Sequence, residues 1–485
     1  MNGTHASQQV DLKYWMERAV AEMDRVLPAL ESDPVHDLRV ALRRCRSIAS
    51  SFRTIDFHPA WRRMDRAARS VFRQLGELRD VQVLSEWVLK LGGKDDAVAA
   101  ALLAHCARRE SELRAGVVAA LGRFDRKRWE YWKERLSGRF YRVPSEGLVF
   151  QCLALHRLAD VHALHREALR NRSKVAFHQL RIGLKRFRYV VENFLPQRHQ
   201  RWGKALKELQ DLLGEVHDLD VLWATASKQK VFATSVARDL WKQRIEAERD
   251  RRLARYRELM VGPDSLWKEW RHGLPLGAAL RRAERERLKT WAAFLDPDLK
   301  HSQRVARLAL QLRAGLVKTG TLDSSLPAEL LEAAALLHGV GRSHAKQAAH
   351  KESRRLISRL VPPSSWTAAD LELVALAARY ARGALPATRH KRFAALPPAQ
   401  RAILRQMAGI LRLARSLDGD QNGAVHSVWL RRDRACLTLE ARGLHEDSKL
   451  AERVAAGRYL LERICRLPLR VVGAAQPRSR RDSTR

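Results

Sequence analysis

Residues 35–52 read VHDLRVALRRCRSIASSF, and residues 177–194 read FHQLRIGLKRFRYVVENF. In each stretch a histidine and three cations follow at steps of three, four and three residues, which places them on one stripe of an α-helix. The apolar residues form a second stripe beside it, so each stretch predicts a helix with one buried and one cationic face. The cationic stripes consist of His36, Arg39, Arg43 and Arg46 in the first copy and of His178, Arg181, Lys185 and Arg188 in the second. The repetition indicates that this helix belongs to a duplicated unit.

A second pair of motifs follows the two helices at nearly the same distance. Residues 75–84 read LGELRDVQVL, and residues 213–222 read LGEVHDLDVL. The glycine that both motifs share could end a helix or allow two helices to approach closely. The aspartate at their centre could cap a helix or orient an arginine or histidine. These residues are Gly76 and Gly214, and Asp80 and Asp218.

Further cations accompany the repeated motifs. In the first copy Arg62, Arg66, Arg69 and Arg73 form another basic stripe at steps of four, three and four residues, which predicts two neighbouring cationic helices. Of these we expect Arg66, Arg69 and Arg73 to contact the ligand. The second copy adds Lys204, Lys207 and His217 near its glycine motif. Cations at such steps stand about 5 Å apart along a helix, which suits a linear, densely charged chain better than one small anion.

The overall charge of the chain points the same way. The 485 residues are 46% hydrophobic, which predicts two or three globular domains, and carry a formal net charge of +37, which predicts a polyanionic partner. Five scattered cysteines without CxxC spacing are typical of a reduced, cytosolic protein. Neither an export signal nor an apolar run of about 18 residues occurs, so we expect a cytoplasmic protein that does not enter a membrane.

The cationic stripes favour a ligand made of phosphate groups. A solvated helix face mixes cations with acidic and amide side chains, whereas stacked cations without acidic relief are destabilising unless a counter-ion binds. Nucleic acid is the alternative, because phosphate contacts dominate its binding too. Single-strand binders also offer aromatic rings to the bases, but the phenylalanines here fall on the apolar stripes. The leading histidines should have lowered pKa values among the cations, which predicts tighter anion binding at lower pH.

Changes in pattern along the chain predict the domain boundaries. We expect a helical domain over residues 8–260 with repeats at about 8–121 and 148–258, a linker at 261–284, a second domain at 285–475 and a basic disordered tail at 476–485. Amphipathic patterns predict helices at 301–316, 327–337, 346–360, 368–382 and 398–417. Strand-like segments at 426–430, 436–440 and 467–472, split by a helix at about 447–465, predict a small terminal β-sheet. The predicted fold is therefore mainly α, a duplicated antiparallel helical bundle followed by a second helical domain.

The duplicated pattern H-x-x-R-[V/I]-x-x-[R/K]-R-x-R, followed by L-G-E-x-[R/H]-D-x-x-V-L, resembles the CHAD family, the conserved histidine α-helical domain. The resemblance implies a twofold-repeated bundle whose basic residues line a central pore and bind inorganic polyphosphate, in association with polyphosphate granules. It also implies binding roles for His36, Arg39, Arg43, Arg44 and Arg46, and for His178, Arg181, Lys185, Arg186 and Arg188. Lys185 departs from the arginine of the first copy, which keeps the charge and loses the bidentate fork.

The second domain has its own resemblance. Residues 301–309 (HSQRVARLA), 331–342 (LEAAALLHGVGR), 350–353 (HKES) and 411–418 (LRLARSLD) resemble the C-terminal, HD-like domain of exopolyphosphatase and guanosine pentaphosphate phosphohydrolase. The resemblance implies polyphosphate as the ligand of this half too. The actin-like ATPase-type domains that carry the phosphatase chemistry of that family have no counterpart in this sequence.

An HD metal site combines a histidine, an adjacent His-Asp pair and a distal aspartate. Here the pair is His338-Gly339, and Arg415 stands where the distal aspartate is expected. We therefore predict no metal, no cofactor and no catalytic residue, and a protein that is not an enzyme. Three roles stay open for the HD-like domain: extending the phosphate-binding surface, forming a homodimer, or binding a partner such as a granule protein. The alternative is a metal-dependent phosphohydrolase in which His301, His338 and His350 gather around a metal.

Overall fold

A computed structural model describes residues 11–28, 30, 32–93, 95–345, 347–444 and 448–474. Within these ranges the chain forms eighteen helices and three strands. This confirms the prediction of a mainly α-helical fold with a small sheet in the last part of the chain. The chain divides into two compact units, Met1–Glu284 and Arg285–Arg485, and each is described by itself. The predicted basic tail lies outside the described residues, and no helix within them is both long and apolar enough to cross a membrane.

The first unit consists of two matching sets of helices. The helices are α1 (Leu12–Val26), α2 (Ser32–Phe52), α3 (Pro59–Leu91), α4 (Ala97–Gly122), α5 (Arg126–Phe140), α6 (Leu148–Asn171), α7 (Lys174–Phe194), α8 (Pro196–Lys228), α9 (Ser235–Met260) and α10 (Leu266–His272), and α11 (Gly277–Leu295) carries residues of both units. Helices α2 and α7 have 21 residues each, α3 and α8 have 33 each, and α4 and α9 have 26 each. These equal lengths are the structural sign of the duplication seen in the sequence.

The two sets of helices join through the basic helices and their neighbours. Helix α2 packs against α3 and α7, and α8 packs against the same two helices, so that four helices close a ring. Phe52 and Phe194 end the two basic helices at corresponding positions, and their ring centroids lie 6.0 Å apart. Phe150 stacks on Phe194 at 4.0 Å, and Trp61 stacks on Phe52 at 4.7 Å. This buried aromatic cluster fixes α2 and α7 side by side.

The segment predicted as a linker contains a helix. Helix α10 packs against α6 and α9, and its Trp267 and Trp270 are buried. The ring of Trp270 lies 5.3 Å from that of Phe187 in α7. The glycines and prolines of the segment, Gly262, Pro263, Gly273, Pro275 and Gly277, lie outside this helix. Burial of two large aromatic side chains stabilises it, although its seven residues are too few to be helical alone.

The second unit packs helices against a three-stranded sheet. Its elements are α12 (Leu299–Lys318), α13 (Ala328–Leu337), α14 (Ala349–Ile357), α15 (Ala368–Tyr380), α16 (Lys391–Ala394), α17 (Pro398–Leu417), β1 (Ser427–Arg432), β2 (Leu437–Arg442), α18 (Ser448–Cys465) and β3 (Leu469–Ala474). Helix α17 packs against α12, α15 and α18. Strand β2 lies between β1, which is antiparallel to it, and β3, which is parallel. Helix α18 supplies the crossover that the parallel pair requires.

Candidate functional site

The basic helices α2 and α7 are held in place by their apolar faces. Leu38 and Leu42 of α2 and Phe187 and Phe194 of α7 are almost completely buried. The side chain of Ser173 caps α7 by accepting a hydrogen bond from the backbone N–H of Ala176 at 3.1 Å. With the apolar stripes buried, Arg43 and Arg46 of α2 and Lys185 and Arg186 of α7 line the space that remains between the two helices.

That space is a cavity of about 590 Å³ between α2 and α7, flanked by α3 and α6. Cations dominate its charged lining, and Asp65 is the carboxylate among them. The cations are Arg43, Arg46, Arg53, Arg69, Arg157, Lys185 and Arg186. Hydroxyl groups of Ser47, Ser50 and Ser51 lie on the same wall. Seven cations against one carboxylate make this cavity suited to a multiply charged anion.

Asp65 is shared among three arginines. Its carboxylate lies 3.2 Å from Nε of Arg46, 3.2 Å from Nη2 of Arg69 and 3.7 Å from Nη1 of Arg53. The Asp65 side chain is buried, whereas Arg69 is largely exposed. One carboxylate fixes these guanidinium groups in position, but it cannot neutralise three positive charges. The arginines therefore keep hydrogen-bond donors and charge for a bound anion.

Lys185 brings the second repeat to the cavity. Its side chain is half-buried, and burial together with the nearby Arg181 and Arg43 lowers the pKa of Lys185 to about 8. The amine therefore still carries its charge at neutral pH, at a cost in free energy. A bound anion would offset that cost and raise the pKa.

Arg44 and Arg186 occupy corresponding positions but differ in their surroundings. The Arg44 guanidinium donates to Oδ1 of Asn193 at 2.8 Å and to Glu192, and it lies over the ring of Trp15. Arg186 is exposed and lines the cavity. Arg44 thus joins α2 to α7, whereas Arg186 is available to a ligand.

A second polar layer adjoins the cavity at the glycine motifs. Nη1 of Arg39 donates to the carbonyl oxygen of Leu75 at 2.6 Å. A Cβ atom at Gly76 would lie 3.4 Å from the same nitrogen. Gly76 and Gly214 both lie inside long helices, α3 and α8, so neither ends a helix. An added Cβ at Gly76 would make only an ordinary contact with the end of the Arg39 side chain, and one at Gly214 would meet nothing within 4 Å.

The motif aspartates face the cations of the basic helices. Asp80 and Asp218 lie inside α3 and α8, so they do not cap helices. Burial raises the pKa of Asp218 to about 6, although the nearby Arg181 and Lys185 act in the opposite direction. Burial also raises the pKa of Asp80, against the influence of Arg39. These carboxylates therefore lie within electrostatic reach of the cations of both basic helices.

Two histidines of the second repeat lie together in this layer. The ring centroids of His178 and His217 are 4.6 Å apart. Burial, together with the nearby Arg181, lowers the pKa of His217 to about 4 and lowers the pKa of His178 as well. Both rings are therefore neutral at pH 7. His36, the counterpart of His178 in the first repeat, is exposed.

The second unit holds a pair of buried histidines. Asp298 caps α12 by accepting a hydrogen bond from the backbone N–H of His301. Nδ1 of His301 lies 2.6 Å from Oδ2 of Asp418, and the ring of His338 lies 5.5 Å from that of His301. Nε of Arg304 donates to the same carboxylate at 3.0 Å. The sequence pattern predicts the distal acid at position 415, whereas the structure places Asp418 beside His301.

Gly339 replaces the aspartate of the HD pair, and the structure shows what fills that space. A Cβ atom at Gly339 would lie 2.2 Å from Oδ2 of Asp296. The Asp296 carboxylate accepts hydrogen bonds from Oγ of Ser302 at 2.6 Å and from the backbone of Asp298 at 3.0 Å. No side chain larger than hydrogen fits at position 339 unless Asp296 moves. Among the described residues, no group of three or more histidines, cysteines or acidic residues could hold a metal ion.

Comparison with known families assigns both units. The family model described as CHAD domain matches residues 15–227, and the one described as Ppx/GppA phosphatase, domain III, matches residues 285–451. The chain carries a CHAD domain followed by a Ppx/GppA phosphatase domain III. This confirms both resemblances noted in the sequence, and together the two domains indicate a polyphosphate-related function. No curated protein matches the chain.

The predicted binding residues occupy three environments in the CHAD domain. Those that line the cavity are Arg43, Arg46, Arg69, Lys185 and Arg186. Those of the adjoining layer are Arg39, Arg181, His178 and His217. The others lie on the exposed surface or in ion pairs, namely His36, Arg66, Arg73 and Lys204 on the surface, and Arg44, Arg188 and Lys207 beside carboxylates.

Arg53 and Arg157 line the cavity of the CHAD domain but are not among the binding residues predicted from the sequence. Arg53 follows Arg46 by seven residues, two helical turns, and this spacing could have identified it. Arg157 comes from α6, outside both motifs, and pairs with Asp160 at 3.3 Å. Its contribution depends on how α6 packs beside α7, which no local pattern reveals.

Proposed function

We propose that the CHAD domain binds inorganic polyphosphate in the cavity between α2 and α7. The main support is the charge imbalance, seven cations around one carboxylate in about 590 Å³. Guanidinium groups offer paired N–H donors that match phosphate oxygens. The Ser50 hydroxyl group can add a neutral donor, whereas the hydroxyl groups of Ser47 and Ser51 already donate to backbone carbonyl oxygens. Because Arg43 and Lys185 come from different repeats, a bound chain would contact both copies of the motif.

The aromatic residues of the cavity favour phosphate without bases. Phe72 and Tyr189 line the cavity, but guanidinium groups lie over both rings. Arg46 lies 4.8 Å from the centroid of Phe72, and Arg43 lies 5.7 Å from that of Tyr189. These faces are therefore occupied by cations, whereas single-strand binders leave ring faces open to stack bases.

A competition experiment distinguishes polyphosphate from nucleic acid. Purified full-length protein is titrated with labelled long-chain polyphosphate at physiological salt, and unlabelled duplex DNA or RNA is added at equal phosphate concentration. We expect nucleic acid to displace polyphosphate poorly, because a duplex is too wide for the cavity. Equal competition per phosphate would contradict the proposal and support binding to the nucleic-acid backbone.

We further propose that the protein is not a phosphohydrolase and associates with polyphosphate granules. The non-enzymatic role is supported by Asp296 beside Gly339 and by the engagement of Asp418 with His301 and Arg304. Incubation with polyphosphate and Mg²⁺ or Mn²⁺ should release no phosphate. Metal-dependent release that is lost in His338→Ala would instead establish the hydrolase alternative.

A further inference from the structure

The Ppx/GppA-type unit contains a cationic cavity of its own. It measures about 250 Å³ and lies among α13, α14, α15 and α17, with His338, Arg342, His350, Arg382 and Arg415 on its walls. Among the described residues, none that lines this cavity is acidic. A neighbouring cavity of about 230 Å³ shares Arg382 and Arg415. The positive charges thus converge on a space large enough for a small anion.

These arginines are held by backbone groups or stand without an acidic partner. Nη1 of Arg415 donates to the carbonyl oxygen of Ala381 at 3.0 Å. In the part of the chain that the structure describes, Arg342 and Arg382 form no ion pair with a carboxylate. Burial, together with the neighbouring Arg382 and Arg342, lowers the pKa of Arg415 to about 10, so it stays charged at neutral pH. Three uncompensated guanidinium groups around one space are costly unless an anion binds.

His338 adds an acceptor to this cationic wall. Its Nδ1 lies 2.6 Å from the carbonyl oxygen of Ala335, so Nδ1 carries the hydrogen and Nε2 carries the lone pair. Nε2 is buried and has no hydrogen-bond partner among the described residues, and the residue is 7% exposed. Burial, with the nearby Arg415, lowers the pKa of His338 well below its usual range, so the ring is neutral.

The side chains around His338 favour this neutral state, and the hydrogen bond to Ala335 acts in the opposite direction. Arg415 of α17 and Arg342, which follows in the same segment, both disfavour a proton on the ring. His301 of α12 acts in the same direction, and its own Nδ1 is engaged by the Asp418 carboxylate. His350 of α14 lines the cavity, and burial with nearby arginines lowers its pKa too. A neutral imidazole acceptor beside three arginines suits a ligand that is both anionic and a hydrogen-bond donor.

We propose that this cavity binds a terminal phosphate group in its hydroxyl-bearing form. The P–OH group donates to Nε2 of His338, and the remaining oxygens accept from Arg342, Arg382 and Arg415. The second ionisation of a phosphate monoester or of a chain end has a pKa near 6, so these groups take up a proton when they bind in this form at pH 7. Orthophosphate carries a hydroxyl group already, so it needs no such proton. Internal phosphates of a chain and sulfate have no such hydroxyl group at this pH. The site would therefore recognise orthophosphate, a phosphate monoester or the end of a polyphosphate chain.

This site goes beyond the polyphosphate cavity of the CHAD domain, and the two can be tested separately. The test uses the full chain with Arg43→Ala, Arg69→Ala, Lys185→Ala and Arg186→Ala, which removes cations of the first cavity. Isothermal titration at pH 7 compares orthophosphate, phenyl phosphate and tripolyphosphate, which carry terminal groups, with sulfate and cyclic trimetaphosphate, which do not. The titrations are repeated in two buffers of different ionisation enthalpy, because the difference in measured heat gives the number of protons taken up on binding.

We expect the three terminal phosphates to bind at least about tenfold more tightly than sulfate or trimetaphosphate, since a missing donor leaves Nε2 of His338 unpaired. Among the three, the tightest ligand identifies the source of the phosphate group. Equal binding of phosphate and sulfate, or no binding of any probe, would overturn the proposal. Long-chain polyphosphate binding by the wild-type chain is measured in parallel, so failure of the CHAD cavity would be recognised separately.

Variants assign the effect to this cavity. His338→Phe should abolish the preference for phosphate over sulfate together with the proton uptake. Arg382 is exposed and has no acidic partner among the described residues, so Arg382→Gln should leave the fold intact. It should weaken the binding of both phosphate and sulfate. Arg307→Gln is the matched control, since Arg307 is an exposed arginine of α12 that does not line the cavity. An unchanged preference in His338→Phe, or equal losses in Arg382→Gln and Arg307→Gln, would contradict the assignment.

Discussion

Arg43 and Lys185 stand at corresponding positions of the two repeats and line the same cavity of the CHAD domain. The charge of Arg43 lowers the pKa of Lys185, so the two side chains lie within electrostatic reach. Like charges placed together in this way destabilise the free protein, and a bound anion relieves the repulsion. The duplication therefore converts one basic helix into two opposing walls of a binding site.

Replacement of Lys185 should stabilise the fold and at the same time weaken polyphosphate binding. The pKa of about 8 lies below the ordinary 10.5, so the unfolded chain holds this proton more tightly than the folded protein does. The charged amine therefore destabilises the fold below about pH 8, and this cost disappears as the pH rises towards 10.5. Lys185→Met should raise the free energy of unfolding at pH 7 by on the order of 2 kcal/mol and weaken polyphosphate binding.

Urea unfolding at pH 7 and pH 10 measures the effect of Lys185→Met. The stabilisation should be smaller at pH 10, where the wild-type amine is largely neutral. Lys207→Met, at an exposed position, serves as the control. Equal stabilisation by Lys185→Met at both pH values would show that the charge is not its source.

Asp218 should make polyphosphate binding depend on pH. Its pKa of about 6, raised by burial from the ordinary 3.8, means that the carboxylate is charged at pH 7 and largely neutral at pH 5. Loss of this negative charge beside Arg181 and Lys185 should tighten polyphosphate binding as the pH falls. Asp218→Asn should bind more tightly at pH 7 and show a smaller gain at pH 5. Affinity measured from pH 5 to 7.5, with the exposed Asp239→Asn as control, checks this; an unaltered profile in Asp218→Asn would refute it.

Substitution by alanine should lower the stability of the fold at Arg44 and weaken polyphosphate binding at Arg186. Arg44→Ala leaves Glu192 and Asn193 without their donor, so it should lower the free energy of unfolding by about 1–3 kcal/mol with little change in polyphosphate affinity. Arg186→Ala should weaken polyphosphate binding with little change in stability. Chemical denaturation and titration of both variants provide the comparison. Similar profiles for the two variants would mean that the corresponding positions have the same role.

In the second unit, substitutions at Gly339 and Asp296 should have non-additive effects on the free energy of unfolding. A Cβ atom at position 339 collides with the Asp296 carboxylate, so Gly339→Ala should destabilise the fold by about 1–3 kcal/mol. The same substitution in an Asp296→Ala background should cost clearly less, because the collision is absent. A double-mutant cycle of unfolding free energies measures this coupling. Strictly additive effects would show that the two residues do not compete for space.

Much of the fold follows from local sequence patterns. The three-and-four spacing of apolar residues predicts α2 and α7, and the repeated motifs predict two matching sets of helices. The strand-like segments near residues 426–430 and 436–440 correspond to β1 and β2 within two residues at each end. These features depend on residues close together in the chain, where helical and strand periodicity determine which side chains are buried.

Contacts between distant residues could not be predicted in this way. Arg44 meets Glu192, 148 residues away, and His301 meets Asp418, 117 residues away. The cationic stripes show which residues share a helix face, but not which of them a neighbouring carboxylate engages. Arg44 therefore belongs to the predicted binding set although it bonds to α7, whereas Arg157 reaches the cavity from a helix without a motif.

The most direct test of the account asks whether the cavity, or the basic surface as a whole, binds polyphosphate. One full-length variant carries Arg43→Ala, Arg69→Ala, Lys185→Ala and Arg186→Ala. The control carries Arg62→Ala, Arg108→Ala, Lys127→Ala and Arg170→Ala, which removes the same charge from exposed positions of the first unit. Affinity for long-chain polyphosphate is measured at physiological salt. The account predicts a loss of about a hundredfold or more in the cavity variant and near wild-type affinity in the control, whereas equal losses in both variants would contradict it.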